Sequence, residues 1–146
     1  MSRAVLTAPW SDVALARWSE IGDKIVQLAE EFPEDKFDAR PTQDVRSFAD
    51  QLRHIAFWNA HFCKALRRED SDGSANELSR EKYVTKAKIL SVLRTSFDDV
   101  KTELSNGGRE VSDLDGLITY VGHNGEHYGQ LVVYYRLNGL IPPASR

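Results

Sequence analysis

The sequence predicts an all-α protein, a single-domain four-helix bundle that extends over residues 1–146. Four segments, each of about twenty residues, carry apolar side chains at spacings of three and four, which places those side chains on one face of a helix. No stretch shows the polar–apolar alternation of a strand, and no internal repeat is visible. Four helices with one apolar stripe each must pack against one another to bury those stripes.

The first helix is predicted to end just before Pro33, because proline cannot continue a helix. Thr7 and Ser11 are the two candidates for its N-cap. Its apolar stripe consists of Trp18, Ile21, Ile25, Leu28 and Phe32. An irregular segment, residues 34–46, follows, and Pro41 keeps part of it extended.

The second helix is predicted to begin at Ser47, a candidate N-cap with Asp50 as its capping-box partner. It ends at Arg67 and Arg68, where cations suit the negative end of the helix dipole. Its apolar face consists of Phe48, Leu52, Ile55, Phe62 and Leu66, with Asn59 inside the same arc. The polar segment 69–79 is predicted to be a loop.

The third helix has Ser79 or Thr85 as its N-cap and is terminated by Asn106 and the two glycines that follow. Its stripe consists of Ile89, Leu93, Phe97, Val100 and Leu104. The fourth helix is predicted to start at Asp115 and to close at Asn138–Gly139. Its apolar residues are Leu117, Tyr120, Val121, Tyr128, Leu131 and Tyr135.

Composition and charge exclude several classes of function. A formal net charge of −3 offers no general attraction to nucleic acid. One cysteine, Cys63, cannot form an intramolecular disulfide and fits a reducing compartment. No apolar run approaches the ~20 residues that span a bilayer, and the first residues lack a secretory hydrophobic region. We therefore expect a cytoplasmic protein without nucleic-acid or membrane partners.

Two histidines, His123 and His127, lie four residues apart in the fourth predicted helix. Four residues turn an α-helix through about 400°, so both imidazoles lie on one face, one turn apart. Two imidazoles in that arrangement can bind one metal ion. The alternative is an ordinary pair of surface histidines, which this spacing alone does not exclude.

A third ligand is expected from the second helix. At 100° per residue, His127 lies roughly 70° and His123 roughly 110° from the centre of their apolar arc. His54 lies about 100° from the centre of its own arc and His61 about 120°. All four therefore border a groove between helices, where bundles build metal sites. We predict a site formed by His54, His123 and His127, with His61 as a solvated residue or a pocket wall.

Several segments around these histidines form a recognisable pattern. Residues 41–42, 45–49 and 52–56 lie just before and within the second helix and include His54. Residues 123–131, then 135–139, belong to the fourth helix and its end, and Pro142–Pro143 follow. These segments resemble the DinB-like (DinB/YfiT) metalloenzymes, residues 91–97 are a softer match, and the similarity covers nearly the whole chain.

The resemblance implies a four-helix bundle, often a homodimer, with a divalent metal held by three histidines. Relatives with assigned chemistry include transferases and an isomerase that use low-molecular-weight thiols. We therefore expect zinc or nickel as the metal, a small-molecule substrate and a thiol-dependent S-transfer to small electrophiles. No individual residue is assigned a catalytic role, although Trp58, Gln130 and Tyr134 are candidates for lining the pocket.

Two other functions are compatible with the same residues. The bundle could bind a metal or small ligand, for instance under stress, without catalysing a reaction. The segment His123-x-x-Glu126-His127 also matches the inverted zinc-protease motif, in which Glu126 would be the general base. We favour a hydrolase or peptidase less, because Glu126 is predicted to point away from the apolar arc.

Overall fold

A computed structural model describes the backbone from Pro9 to Arg146 and the side chains from Trp10 onward. Within that range the chain forms four α-helices and no strand, which confirms the predicted all-α four-helix bundle. The helices are α1 (Pro9–Glu31), α2 (Phe48–Leu66), α3 (Lys86–Ser105) and α4 (Val111–Leu137). Short 3₁₀ turns cover Glu34–Lys36 and Pro143–Ser145.

Helix α1 already includes Ser11, so this residue lies inside the helix and is not its N-cap. The other candidate, Thr7, lies outside the described residues. The predicted end is confirmed, since α1 stops at Glu31, two residues before Pro33. Four members of its predicted stripe are almost fully buried, namely Trp18, Ile25, Leu28 and Phe32.

Helix α2 begins with the predicted capping box. The Ser47 hydroxyl accepts a hydrogen bond from the backbone N–H of Asp50 (3.1 Å), and the Asp50 carboxylate accepts one from the backbone N–H of Ser47 (3.4 Å). The same buried carboxylate binds Arg53 at 2.8 Å and Arg80 at 2.9 Å. The start of α2 is therefore tied both to its own first turn and to the loop that follows the helix.

Helix α3 is capped by Thr85, whose hydroxyl accepts from the backbone N–H of Lys88 at 3.3 Å, so Thr85 and not Ser79 is the N-cap. The predicted start of α4 at Asp115 is wrong, because the helix begins at Val111 with Glu110 as the N-cap. The Asp113 carboxylate accepts from the backbone N–H of Glu110 at 2.7 Å and also binds Arg68 at 2.7 Å. These contacts add a turn to the helix ahead of Asp115.

Aromatic side chains and two polar anchors hold the bundle together. The Trp18 indole N–H donates to the carbonyl of Phe97 (2.9 Å), and the Tyr135 hydroxyl donates to that of Leu28 (2.7 Å), linking α1 to α3 and to α4. Hydrogen bonds let these large amphipathic rings be buried without an unpaired donor. Across residues 9–146, no helix is long and apolar enough to cross a membrane.

Candidate metal centre

Three histidine side chains from two helices meet in the groove between α2 and α4. Nε2 of His123 lies 3.0 Å from Nε2 of His54 and 3.1 Å from Nε2 of His127. One ligand atom from each residue lies within 4.8 Å of the other two. The helical spacing explains half of this arrangement, since His123 and His127 are one turn apart on α4. The contact between α2 and α4 brings in His54.

His54 and His127 are buried, with 6% and 7% of their surface exposed, and His123 is half-buried. Burial disfavours the charged imidazolium, and it lowers the pKa of His54 and of His127 to about 4. Burial also lowers the pKa of His123. At neutral pH the rings are therefore neutral, which is the form that binds a metal ion.

The loop after α2 determines how the His54 ring is oriented. Nδ1 of His54 lies 2.6 Å from the backbone carbonyl oxygen of Asn76. A carbonyl oxygen only accepts hydrogen bonds, so Nδ1 carries the proton and Nε2 presents a lone pair. Asn76 is itself held by the indole N–H of Trp58, which donates to its side-chain oxygen at 2.9 Å.

Two glutamines fix the orientation of the His127 ring, as Asn76 does for His54. Nδ1 of His127 lies 2.6 Å from Oε1 of the buried Gln51 and 3.0 Å from Oε1 of the exposed Gln130. Donation to these oxygens places the proton on Nδ1 and leaves the Nε2 lone pair facing the other two rings. His54 and His127 therefore both direct a lone pair towards His123.

This donor set fits a metal ion. Bonds of about 2.0–2.1 Å from one ion to two imidazole nitrogens place those nitrogens roughly 3 Å apart when the bonds are near a right angle. The two measured Nε2 separations match that value. Neutral rings with converging lone pairs repel one another unless a cation or a shared proton lies between them. The buried Nδ1 of His123 has no hydrogen-bond partner within the described part of the chain.

The structure keeps the other candidate residues out of the cluster. His61 packs against Trp58 and lies 2.8 Å from the Ser71 hydroxyl through Nδ1. Glu126 is exposed on α4. The Tyr134 hydroxyl donates to the backbone carbonyl of Arg46. Trp58 contributes through Asn76, since its indole holds the loop residue that contacts His54.

Gln51 and Asn76, which hold two of the histidine rings, were not predicted, and neither was Arg46, which lines the pocket beside the cluster. Gln51 lies three residues before His54 on the same helix, and that spacing was a usable signal. Arg46 precedes α2 and Asn76 follows it, both outside the regular helices. The positions of such loop residues depend on contacts between distant parts of the chain.

A pocket of about 690 Å³ opens beside the cluster, with His127 in its wall. Gln51, Gln130 and Tyr134 also line it. Of the three predicted pocket-lining residues, Gln130 and Tyr134 therefore face this cavity, and Trp58 lies elsewhere around the cluster. A small molecule in the pocket would be next to one of the three histidines.

Comparison with known proteins agrees with the resemblance seen in the sequence. No curated protein matches this chain. The sequence model of the DinB superfamily matches residues 17–131, a range that begins in α1 and ends in α4 and includes all three clustered histidines. Because this match covers well over half of the sequence, the chain belongs to the DinB superfamily.

Proposed function

We propose that His54, His123 and His127 hold one divalent metal ion, zinc or nickel, and that the protein is a metal-dependent enzyme. The observation that carries this proposal is the convergence of three Nε2 atoms, with separations of 3.0 and 3.1 Å measured from His123. Imidazole nitrogen is a good ligand for both metals. Three protein ligands leave at least one coordination position open, which is the arrangement of catalytic sites and not of structural ones.

The protein groups around the histidines support a preorganised site. Asn76 and Gln51 hold Nδ1 of His54 and of His127, so each ring is fixed before a metal arrives. Such outer hydrogen bonds orient metal ligands and make them more basic. A divalent ion in this position supplies Lewis acidity, which lowers the pKa of a bound water or thiol.

Within that class, we propose a thiol-dependent S-transferase for small electrophiles. The thiol sulfur forms a bond to the electrophilic carbon, and the bond from that carbon to the leaving atom breaks with its electron pair on that atom. With a chloroaromatic, chloride departs and the thiol proton is released to solvent; with an epoxide, the ring oxygen stays attached and takes up a proton. The pocket beside His127 is of a size that suits a small molecule. Gln51, Gln130 and Tyr134 line that pocket and can position the reactants next to the histidines.

Metal binding is tested by comparing two histidine variants. Zinc, nickel and cobalt are titrated into metal-free protein, and elemental analysis is performed on the purified protein. His54→Ala should lose metal affinity on the order of a hundredfold or more, because it removes a ligand. His61→Ala is the matched control and should bind like the wild type, since His61 contacts Ser71 and Trp58. Equal affinity in both variants would refute the site.

Catalysis is tested separately from binding. Metal-loaded protein is incubated with low-molecular-weight thiols and either a chloroaromatic or an epoxide acceptor, and thioether formation is measured. Turnover that is lost in His54→Ala supports the transferase. Stoichiometric metal binding without thiol or hydrolase turnover across a broad panel would favour the alternative, a non-catalytic metal- or ligand-binding protein. Peptidase activity is less favoured because Glu126 is solvent-exposed.

The homodimer and the cytoplasmic location stay predictions from the sequence. An apolar groove of about 520 Å³ lies between α1 and α4, and Val13 and Ile118 expose 59% and 66% of their surface there. This groove is the candidate dimer interface. Sedimentation of the wild type and of Ile118→Lys tests whether the protein dimerises through that groove.

A further inference from the structure

The pocket beside His127 has a distinct charge pattern. Arg40, Arg46 and Arg80 line it, together with two carboxylates, those of Asp44 and Glu77. A third carboxylate, that of Asp50, lies behind the wall and is 1% exposed. It binds Arg80 at 2.9 Å and Arg40 at 3.7 Å, but it also binds the buried Arg53 at 2.8 Å. Since Arg53 balances Asp50, the lining retains one net positive charge.

Arg46 differs from the other two arginines of the lining, because Arg40 and Arg80 contact the Asp50 carboxylate and Arg46 does not. Its Nε donates to Glu77 at 3.2 Å, and its two terminal nitrogens donate no hydrogen bond to any residue from Trp10 to Arg146. The backbone at Arg46 is fixed, because its carbonyl accepts from the hydroxyl of the buried Tyr134. About a third of the Arg46 side chain is exposed, so a ligand in the pocket can reach it.

We propose that this pocket takes a small organic anion with one carboxylate, which Arg46 binds through its two terminal nitrogens. Guanidinium presents parallel N–H groups that match the two oxygens of a carboxylate. The other end of the molecule then lies beside His127, which shares the pocket wall. This inference rests on the proposed function in one respect, the chemical identity of the end near His127, which is a thiol or an electrophilic carbon.

The charge of the lining selects a monoanion over a dianion. Glu77 and Asp44 remain in the same wall as Arg46, and both would repel a second negative charge. A carboxylate needs only the single excess positive charge, whereas a phosphate brings up to two negative charges at neutral pH. Inorganic phosphate is therefore expected to bind more weakly than a monocarboxylate of similar size.

The test uses 3-mercaptopropionate and its neutral amide, 3-mercaptopropionamide, which differ in the carboxylate alone. Both are titrated into cobalt-loaded protein, where thiol binding is followed by the visible spectrum, and into metal-free protein, followed by NMR. The acid should bind about tenfold more tightly than the amide, as expected for one charge-assisted pair. Arg46→Gln should abolish that preference and leave the affinity for the amide unchanged.

Arg17→Gln is the matched control, because Arg17 is an exposed arginine on α1 that pairs with Glu20. It should keep the wild-type preference for the acid. Equal binding of acid and amide, or a preference that survives Arg46→Gln, would overturn the proposal, as would phosphate that binds more tightly than the acid and depends on Arg46. A failure of cobalt to bind would count against the metal site instead, and the titration of metal-free protein would still decide the anion site.

Discussion

Asn76 places its backbone carbonyl oxygen 2.6 Å from Nδ1 of His54. Asn76 adopts a φ of 60°, the left-handed region that L-residues rarely occupy, with asparagine among the exceptions. Its side-chain oxygen accepts from the Trp58 indole, which holds the residue against α2. One loop residue with a left-handed backbone thus sets the proton position on a candidate metal ligand.

Asn76→Val should weaken metal binding by about tenfold, the lower end of the range for residues that orient metal ligands. A β-branched residue disfavours positive φ, so the loop would relax and move the carbonyl away from His54. Zinc affinity is measured by competition with a chromophoric chelator. Asn76→Gly is the control, because glycine accepts this φ and keeps the carbonyl, losing only the bond to Trp58. Wild-type affinity in Asn76→Val would contradict the role of the carbonyl.

Gln51→Ala should also reduce zinc affinity by about tenfold, because Gln51 is the buried residue that accepts from Nδ1 of His127. Gln51→Glu should bind zinc at least as tightly as the wild type, since a carboxylate in that place makes the imidazole more basic. Gln130→Ala should have a smaller effect, because Gln130 is exposed and its contact is longer, at 3.0 Å. The same competition assay measures all three.

Gln27→Ala on the surface of α1 is the matched control for these glutamine variants, since Gln27 is exposed and its side chain donates to Glu31 on the same helix. The interpretation fails if Gln51→Ala and Gln27→Ala bind zinc with the same affinity. Both proteins should be checked for wild-type helix content by circular dichroism, because Gln51 is 3% exposed in the interior of α2.

The helices could be predicted from the sequence because their apolar residues recur with the period of an α-helix. The start of α4 was predicted too late. Its first turn is held by Asp113, which accepts from the backbone N–H of Glu110 three residues earlier and also binds Arg68 at 2.7 Å across 45 positions of sequence. The first contact is local, and the capping potential of Asp115 was given too much weight against it. Only the assembled bundle brings Arg68 to Asp113, so the second contact could not be predicted.

The residues of the candidate site also fall into two groups, those that the local sequence could predict and those that it could not. The spacing of His123 and His127 is a local property of one helix, and it predicted their proximity directly. His54 could be added because its angular position placed it beside the groove between helices. Asn76 and Arg46 could not be predicted, because each lies in an irregular segment whose path depends on contacts with Trp58 and Tyr134.

Asn59→Ala should destabilise the bundle by about 2–3 kcal/mol, measured by urea unfolding. Asn59 is fully buried and accepts from Nδ2 of Asn124 at 3.0 Å, while its own Nδ2 donates to the Ser96 hydroxyl at 3.2 Å. The substitution leaves a buried amide donor of Asn124 without its acceptor. Asn106→Ala at the exposed end of α3 is the control, expected to change stability by less than about 0.5 kcal/mol. Equal effects would show that the buried amides contribute nothing.

Metal-free protein should lose stability as the pH falls from about 6.5 towards 4. Burial lowers the pKa of His54 and of His127 to about 4 from the ordinary histidine value of 6.5. Between those pH values the unfolded chain binds protons that the folded chain excludes, so the free energy of unfolding decreases on acidification. One such ring accounts for roughly 3 kcal/mol when the pH has passed through the whole interval.

The measurement is urea unfolding at pH 7, 5.5 and 4.5 for the wild type and for the double variant His54→Ala/His127→Ala. The variant should show a flatter dependence on pH over this interval, because the two groups whose protonation opposes folding are gone. Bound zinc should be released as the pH approaches 4, because protons compete with the ion for the imidazole nitrogens near the lowered pKa of these rings. An unchanged slope in the double variant would mean that other groups, and not these two histidines, govern the acid response.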